Sequence, residues 1–365
     1  MKKLESIRKH KKDILRFLIV AAILVVFVLV GFFSVSSIKK TRELDLMVPY
    51  ESQEITTSSQ FDSTEQVAEG FANTLCVGDD NTSVSGTAVT EGEYAALFSV
   101  EDKSVLFAQN MYEKAYPASV TKIMTAILAL KYGNMKDVVT IDWEMVELES
   151  GSQVCGFKIG DQVTMDELLH GLLIHSGNDA AMAIAKHVGG SINGFVKMMN
   201  DEAKSLGATG TNFVNPSGLH AENHYTTVYD IYLMLTEAMK YQEFVDIIQL
   251  SVYDIKYQTQ VAVDPATLPQ TEEGAAEATA QPQTQMVDAV VHVDATDKYL
   301  INEAKAPKDV TVLGGKTGTT DAAGNCLALI SQNAYGKPYI SIVLNAKNKD
   351  TLYTDMNALL GVINS

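Results

Sequence analysis

The sequence predicts an α+β fold: an antiparallel sheet with helices packed on it, preceded by one apolar segment long enough to cross a membrane. Three observations carry this. Strand-like segments open and close the last 275 or so residues, a block of helical periodicity lies between them, and residues 17–33 are continuously apolar. The stretch 91–365 is also long enough for one sizeable core.

The elements follow in order. Lys2, Lys3, Arg8, Lys9, Lys11, Lys12 and Arg16 form a basic tail, and no further charge appears until Lys39. The 22 uncharged residues 17–38 would span about 33 Å as a helix, against a bilayer core of roughly 30 Å. The basic residues ahead of it hold residues 1–16 in the cytoplasm, so the expectation is an uncleaved signal-anchor with the rest of the chain outside. A cleaved signal peptide is the rival, but the apolar run is long for one and only Ser34-Val35-Ser36 resembles a cleavage site. Residues 39–90 are rich in Ser, Thr and Glu and read as a stalk, with one short helix around 65–75. Beyond residue 42 the chain has 18 Lys+Arg against 43 Asp+Glu, a net charge of −25, which argues against nucleic acid as a partner.

Pro117-Ala118 breaks what precedes, and Ile123, Met124, Ile127, Leu128 and Leu130 then recur at helical intervals, which predicts a buried helix starting at Ser119. Thr164-Met165-Asp166-Glu167 has the form of a capping box, and Leu168, Leu169, Leu172 and Leu173 line one face of a helix ending near His175. Asn178 opens the next helix through Ala180, Ala181, Ile184 and Ala185. Two strand-like runs, 251–263 and 287–293, flank residues 264–285, whose Ala, Thr, Gln, Glu and Pro content reads as a disordered insertion on an extended hairpin. A strand from Val310 to Thr320 and a last helix from Leu352 to Ile363 complete the domain.

Three short motifs carry chemistry: Ser119-Val120-Thr121-Lys122, Ser176-Gly177-Asn178 and Lys316-Thr317-Gly318. Taken singly, each is more readily an ordinary structural feature: an N-cap with a surface Lys, a Ser-Gly-Asn turn, a glycine-weakened strand. Their order and context give them weight. Lys122, three residues after Ser119, shares its helical face. To act as a base it needs its pKa lowered, and burial together with a second cation such as Lys316 would do so. A hydroxyl at Ser176 can relay a proton to a leaving amine, and the Asn178 amide can hold Lys122 and a peptide backbone. Gly314, Gly315 and Gly318 suggest close approach of another backbone, and an extended peptide could add along this strand. A phosphate loop is disfavoured, because Val310 stands where its first glycine is required and no helix is predicted to start at Thr317.

His220 and His224 lie on a Pro/Gly/Asn-rich loop, and His170 and His175 are five apart, so all four read as core or loop-stabilising rather than metal ligands. Cys76, Cys155 and Cys326 allow at most one internal disulfide, and Cys155 and Cys326 are expected to be buried and unpaired.

Over about three quarters of its length the chain resembles the serine D-alanyl-D-alanine carboxypeptidases, the low-molecular-mass penicillin-binding proteins. The resemblance rests on the motifs and on their surroundings: EYAALFSVEDKSVLFAQN, YPASVTKIMTA, LLHGLLIHSGNDAAMAIAKHVGG, GATGTNFVNPSGLHAENHYTT and GGKTGTTDAAGNCLALIS. It implies a penicillin-binding-protein/β-lactamase-like transpeptidase fold with a helical subregion, a domain over 91–365 and no metal or organic cofactor. The substrate would be a peptidoglycan stem peptide ending in D-alanine, and β-lactam antibiotics would be covalent inhibitors. Ser119 would form the acyl-enzyme with Lys122 as general base, Ser176 would shuttle a proton, and Asn178 would order the cleft. Lys316 and Thr317 would bind the terminal carboxylate, Gly318 and Thr319 would complete the substrate-binding set, and the Ser119 and Thr319 N–H groups would form the oxyanion hole. A class A β-lactamase is disfavoured, because residues 213–225 offer only Glu222 as a deacylating carboxylate. Endopeptidase or transpeptidase activity, or a penicillin-sensing wall-binding module without turnover, remain alternatives. No arginine follows Arg42, whereas many relatives bind the terminal carboxylate with one, so the expectation is that Lys316 takes that task and Lys347 or Lys349 helps at longer range.

Overall fold

A computed structural model describes residues 75–262 and 284–364. The expected basic tail, membrane segment, most of the stalk with its short helix, and nearly all of the insertion lie outside the described residues. Among the described residues, no helix is long and apolar enough to cross a membrane.

The chain begins with a hairpin, β1 (Tyr94–Ser99) and β2 (Ser104–Gln109), and reaches the buried helix α1 (Lys122–Tyr132) through a 3₁₀ turn, Ala118–Thr121. Then follow β3 (Val138–Thr140), the short α2 (Trp143–Val146), β4 (Gln162–Thr164), α3 (Met165–Leu173), α4 (Asn178–Gly189), α5 (Ile192–Ser205), α6 (Val228–Ala238) and α7 (Gln242–Ile248). The closing part holds β5 (Val252–Ala262), β6 (Thr284–Asp294), β7 (Val310–Thr320), β8 (Gly324–Asn333), β9 (Pro338–Ala346) and α8 (Lys349–Val362).

The strands form two antiparallel sheets where the sequence suggested one: β2-β1-β9-β8-β7, and a smaller β3-β4-β5-β6. The second exists because β5 and β6 pair with each other over eleven positions, from Val252↔Asp294 to Ala262↔Thr284, while β5 pairs with β4 at Gln162↔Gln258. That hairpin includes Thr284 and Gln285, which the sequence placed in the insertion.

Period-2 alternation in the large sheet feeds two cores. Ala96, Phe98, Ala328, Ile330, Ile340 and Ile342 face the helical block, whereas Ala95, Leu97, Leu327, Leu329 and Val343 face Leu352, Met356, Leu359 and Leu360 of α8. Helix α1 is buried on all sides from Lys122 to Ala129 and packs against α3, α4, α5 and α6. A helix apolar all round has to be central, and this one carries a lysine into that centre.

The segment just ahead of the domain is not free of it. Cys76 is fully buried, its N–H donating to Tyr232 Oη at 2.8 Å, and Thr82 bridges to Ala108 beside β2. Cys76, Cys155 and Cys326 are all buried free thiols.

Candidate active site

Ser119 does not begin an α-helix; it sits in the 3₁₀ turn, one residue after Ala118 at φ +45°. Pro117 and the left-handed Ala118 delay the α-helix to Lys122, so Ser119 is held ahead of α1 at the mouth of a cleft. Ser176 stands opposite with φ +65°, between α3 and α4. Non-glycine residues at positive φ cost about 1–3 kcal/mol each and persist where the surroundings hold them, as at functional sites.

Three of the four predicted residues of the first two motifs, Ser119, Lys122 and Asn178, meet at one atom. Lys122 Nζ donates to Ser119 Oγ at 3.0 Å, to Asn178 Oδ1 at 2.7 Å and to the Ser217 carbonyl at 2.7 Å. As an ammonium it donates in all three directions; as a neutral amine it keeps two N–H donors for Asn178 Oδ1 and the Ser217 carbonyl and turns its lone pair to the Ser119 hydroxyl, which then donates. Burial pushes its pKa well below the usual lysine range, and the nearby Lys316 charge pushes the same way, against the pull of Asp179.

The third motif forms the facing wall. Thr317, Gly318 and Thr319 line the cleft with Ser119 and Ser176. Lys316 lies beneath, 1% exposed, donating to the Thr317 carbonyl at 2.9 Å; burial brings its pKa down to about 7. Gly318 is required by contact: a Cβ there would lie 2.8 Å from Ser119 N and 3.0 Å from the Pro117 carbonyl oxygen. Strand β7 therefore touches the 3₁₀ turn, which brings the first and third motifs together. The Thr317 hydroxyl contacts Thr296 Oγ1 at 2.5 Å, and the Thr319 hydroxyl donates to Asn325 Oδ1 at 3.2 Å.

Gly177 also has a local cause. A Cβ at this position would meet Cys155 Sγ at 2.5 Å and Asp179 Oδ1 at 2.8 Å, so no larger side chain could be seated beside Cys155.

Sequence reasoning missed the supports. Buried Asp179 accepts from the N–H groups of Cys155, Gly156 and Ala180 at 2.8–2.9 Å, which fixes the loop bearing Gln153 against the second motif. Asn178 N–H donates to the Gln153 carbonyl at 2.7 Å. Thr296 joins the two walls, its N–H donating to the Ile174 carbonyl at 3.2 Å while its hydroxyl meets Thr317. Asn215 folds the loop that presents the Ser217 carbonyl, accepting from Gly218 N–H at 2.7 Å. The spacing of Asn215-Pro216-Ser217-Gly218 signals a tight turn, but nothing in it points to Lys122.

Lys298 and Lys349 line the far end of the cleft with Tyr353, whereas Lys347, exposed, is not part of its lining. Glu222 is exposed and also outside the lining. The histidines stabilise structure. His224 accepts from Val214 N–H at 3.3 Å and contacts Thr121 Oγ1 at 2.8 Å, and burial lowers its pKa to about 4. His170 stacks on Tyr253, and His175 contacts Gln153. Among the described residues no group of three or more His, Cys, Asp or Glu is arranged to hold a metal.

A sequence model of the Peptidase_S11 family, described as D-alanyl-D-alanine carboxypeptidase, matches residues 82–277. The chain is 41% identical over 157 residues to D-alanyl-D-alanine carboxypeptidase DacF of Bacillus subtilis, covering 42% of this chain and 40% of that protein. It is 41% identical over 139 residues to DacC of Escherichia coli, covering 36% and 35%. The match thus spans about 40% of the length of these relatives or less. Among solved structures, the Streptomyces K15 DD-transpeptidase superposes with a TM-score of 0.62 at 23% identity, over 77% of this chain and 98% of that one. DacD of Francisella tularensis gives 0.61 at 22%, over 78% and 73%. At these identities the structural likeness establishes the α+β DD-peptidase fold.

Proposed function

The chain belongs to the Peptidase_S11 family of D-alanyl-D-alanine carboxypeptidases, and on that premise we propose that it is a serine D,D-carboxypeptidase removing the terminal D-alanine of peptidoglycan stem pentapeptides. The observation that carries the reading is the fully buried Lys122 amine 3.0 Å from Ser119 Oγ, anchored by Asn178 Oδ1 and the Ser217 carbonyl so that its lone pair can face the Ser119 hydroxyl. With Lys122 neutral, the Ser119 hydroxyl proton moves to Nζ as Oγ attacks the carbonyl carbon of the penultimate D-alanine. The oxyanion forms against the Ser119 and Thr319 N–H groups, a placement supported by the contact of Gly318 with Ser119 N. The C–N bond then breaks as the Ser176 hydroxyl gives its proton to the amine of the departing D-alanine and regains one from Lys122, which returns to the neutral form, and water hydrolyses the remaining Ser119 ester. Asn178 holds Lys122 and the substrate backbone. Lys316, with Thr317 and Thr319 beside it, attracts the terminal carboxylate, and Lys349 at the cleft edge adds longer-range charge. The exposed position of Glu222 supports this over a class A β-lactamase.

The test is release of D-alanine from a wall pentapeptide, with labelled penicillin as covalent probe. D-alanine should be released, and peptide mapping should place the penicillin adduct on Ser119. An adduct on Ser176, or acylation with no D-alanine ever released, would overturn the reading.

The same proposal places the enzyme on the outer face of a bacterial cell membrane. Residues 1–16 are taken as cytoplasmic tail, 17–38 as anchor, 39–90 as the connection to the domain 91–365, and 264–285 as an insertion within it. The intact mass of protein extracted from membranes should include residues 1–38; a soluble form beginning near Ser37 would show cleavage instead.

A further inference from the structure

The cleft reverses the charge of the chain around it. Beyond residue 42 there are 43 Asp+Glu against 18 Lys+Arg, yet among the described residues no carboxylate lines the cleft and two lysines do, Lys298 and Lys349. That arrangement focuses positive potential on the space beside Ser119, Thr317 and Thr319. Lys316 is not part of the lining. It is buried beneath β7, its amine donating to the Thr317 carbonyl at 2.9 Å, so a ligand in the cleft feels its charge across the strand rather than meeting its amine.

Lys298 is placed differently. Its segment, just after β6, is pinned at two points. The Thr296 hydroxyl meets Thr317 Oγ1 of β7 at 2.5 Å, and the Lys298 N–H donates to Tyr353 Oη of α8 at 2.8 Å. Tyr353 is itself held: its ring lies 5.1 Å from that of Tyr299, and its hydroxyl donates to Asp297 Oδ1 at 3.3 Å. From this fixed backbone the half-buried Lys298 side chain reaches the Tyr353 ring, with Nζ 5.6 Å from the ring centroid. The contact is within cation–π range, so the stem packs while the ammonium stays at the cleft with its charge uncompensated. None of the ion pairs formed by lysines among the described residues includes Lys298.

We infer that Lys298 is a substrate-binding residue whose ammonium directly receives the terminal carboxylate of the D-alanyl-D-alanine peptide, while Lys316 adds field from beneath the wall. The inference rests on the D,D-peptidase reading above and names the cation that this reading needs in the cleft. The carboxylate carbon is two bonds beyond the scissile nitrogen, so with the reacting carbonyl at Ser119 it remains in the same cleft. Lys349, the other charged group there, is exposed at the first position of α8, and no hydrogen bond holds its amine among the described residues. It contributes charge without a fixed position.

The experiment has a binding arm and a turnover arm. For binding, full-length Ser119→Ala protein with ¹³Cε-labelled lysine is titrated, by NMR, with an acetylated D-alanyl-D-alanine peptide and with its C-terminal amide. The Lys298 signal, assigned as the one that Lys298→Met removes, should move with the acid and stay in place with the amide. For turnover, the ratio of kcat/KM for the acid to that for the amide should fall about tenfold or more in Lys298→Met, chiefly through KM for the acid. Methionine keeps a stem over Tyr353 but removes the charge, and Lys298→Arg should restore the ratio. Lys349→Ala should lower it by less than Lys298→Met does. An unchanged ratio in folded Lys298→Met, the reverse order for the two lysines, or a Lys298 signal that responds equally to acid and amide overturns the inference; the last would mean a carboxylate elsewhere on the peptide. A wild type that releases no D-alanine overturns the proposed function, while the binding arm still decides the role of Lys298.

Discussion

Replacing Lys122 by alanine is expected to slow acylation of Ser119 by about 10²- to 10⁴-fold, the range for losing a general base. The argument is positional. Nζ is the only amine bonded to Ser119 Oγ among the described residues, and it is fully buried where a cation is disfavoured. Removing it also leaves Asn178 Oδ1 and the Ser217 carbonyl without their buried donor, at about 1–3 kcal/mol for each such group, so stability should fall as well. The two effects separate by experiment: acylation by penicillin is measured on protein shown by thermal melting to be folded at the assay temperature. Folded Lys122→Ala protein acylating at the wild-type rate would remove Lys122 from the mechanism.

The second large effect concerns pH and stability rather than catalysis. Glu93, just before β1, is 2% exposed and has no donor on either carboxylate oxygen, while Asp355 of α8 faces it. Two ionised carboxylates have no proton with which to bond, so the pair is stable only with one proton held between them. Burial, reinforced by Asp355, raises Glu93 from its ordinary 4.5 to about 8. The folded-state value lies above the unfolded one, so the folded protein binds the proton more tightly. The associated stability is fully present below pH 4.5 and is lost as pH rises through 8. The loss should amount to a few kcal/mol over that window, since each unit of separation is worth about 1.36 kcal/mol. Glu93→Gln, which supplies a permanent N–H to Asp355, should flatten the profile and exceed wild type in urea midpoint at pH 9. Parallel stability profiles for the two proteins between pH 5 and 9 would show that Glu93 does not titrate with folding.

The parts of the fold that local chemistry dictates were legible in the sequence. Strand β7 runs from Val310 to Thr320 as the pattern indicates, and the Thr164 hydroxyl caps α3 through Glu167 N–H at 3.2 Å. The reciprocal half of that capping box does not form: the Glu167 side chain turns to Tyr253 and the Lys256 backbone on β5 instead. That is a tertiary contact outweighing a local one. Ser119, Lys122, Ser176, Asn178, Lys316, Thr317, Gly318 and Thr319 do assemble around one cleft or directly beneath it. Thr296, Asp179 and Ser217 were not legible because each acts through a partner far along the chain. The carbonyl of Ser217, for example, reaches a lysine 95 positions away. No periodicity or spacing encodes such a meeting. The division into two sheets was hidden for the same reason, since strand-like residues do not state which neighbour they join.

The order of the large sheet has a consequence for how the molecule comes into being. Strand β1 has β9 as its inner neighbour, with Tyr94 opposite Leu344, residues 250 positions apart. A chain emerging from its N-terminus exposes Ser119 and Lys122 early, yet the wall bearing Lys316 and the strand that seats β1 come nearly last. Until β7, β8 and β9 have been synthesised, the first hairpin has no sheet to enter, and the nucleophile faces no opposing wall. Nascent or C-terminally clipped chains are therefore inert toward peptides, and competence arrives in one late step as the final strands close the sheet.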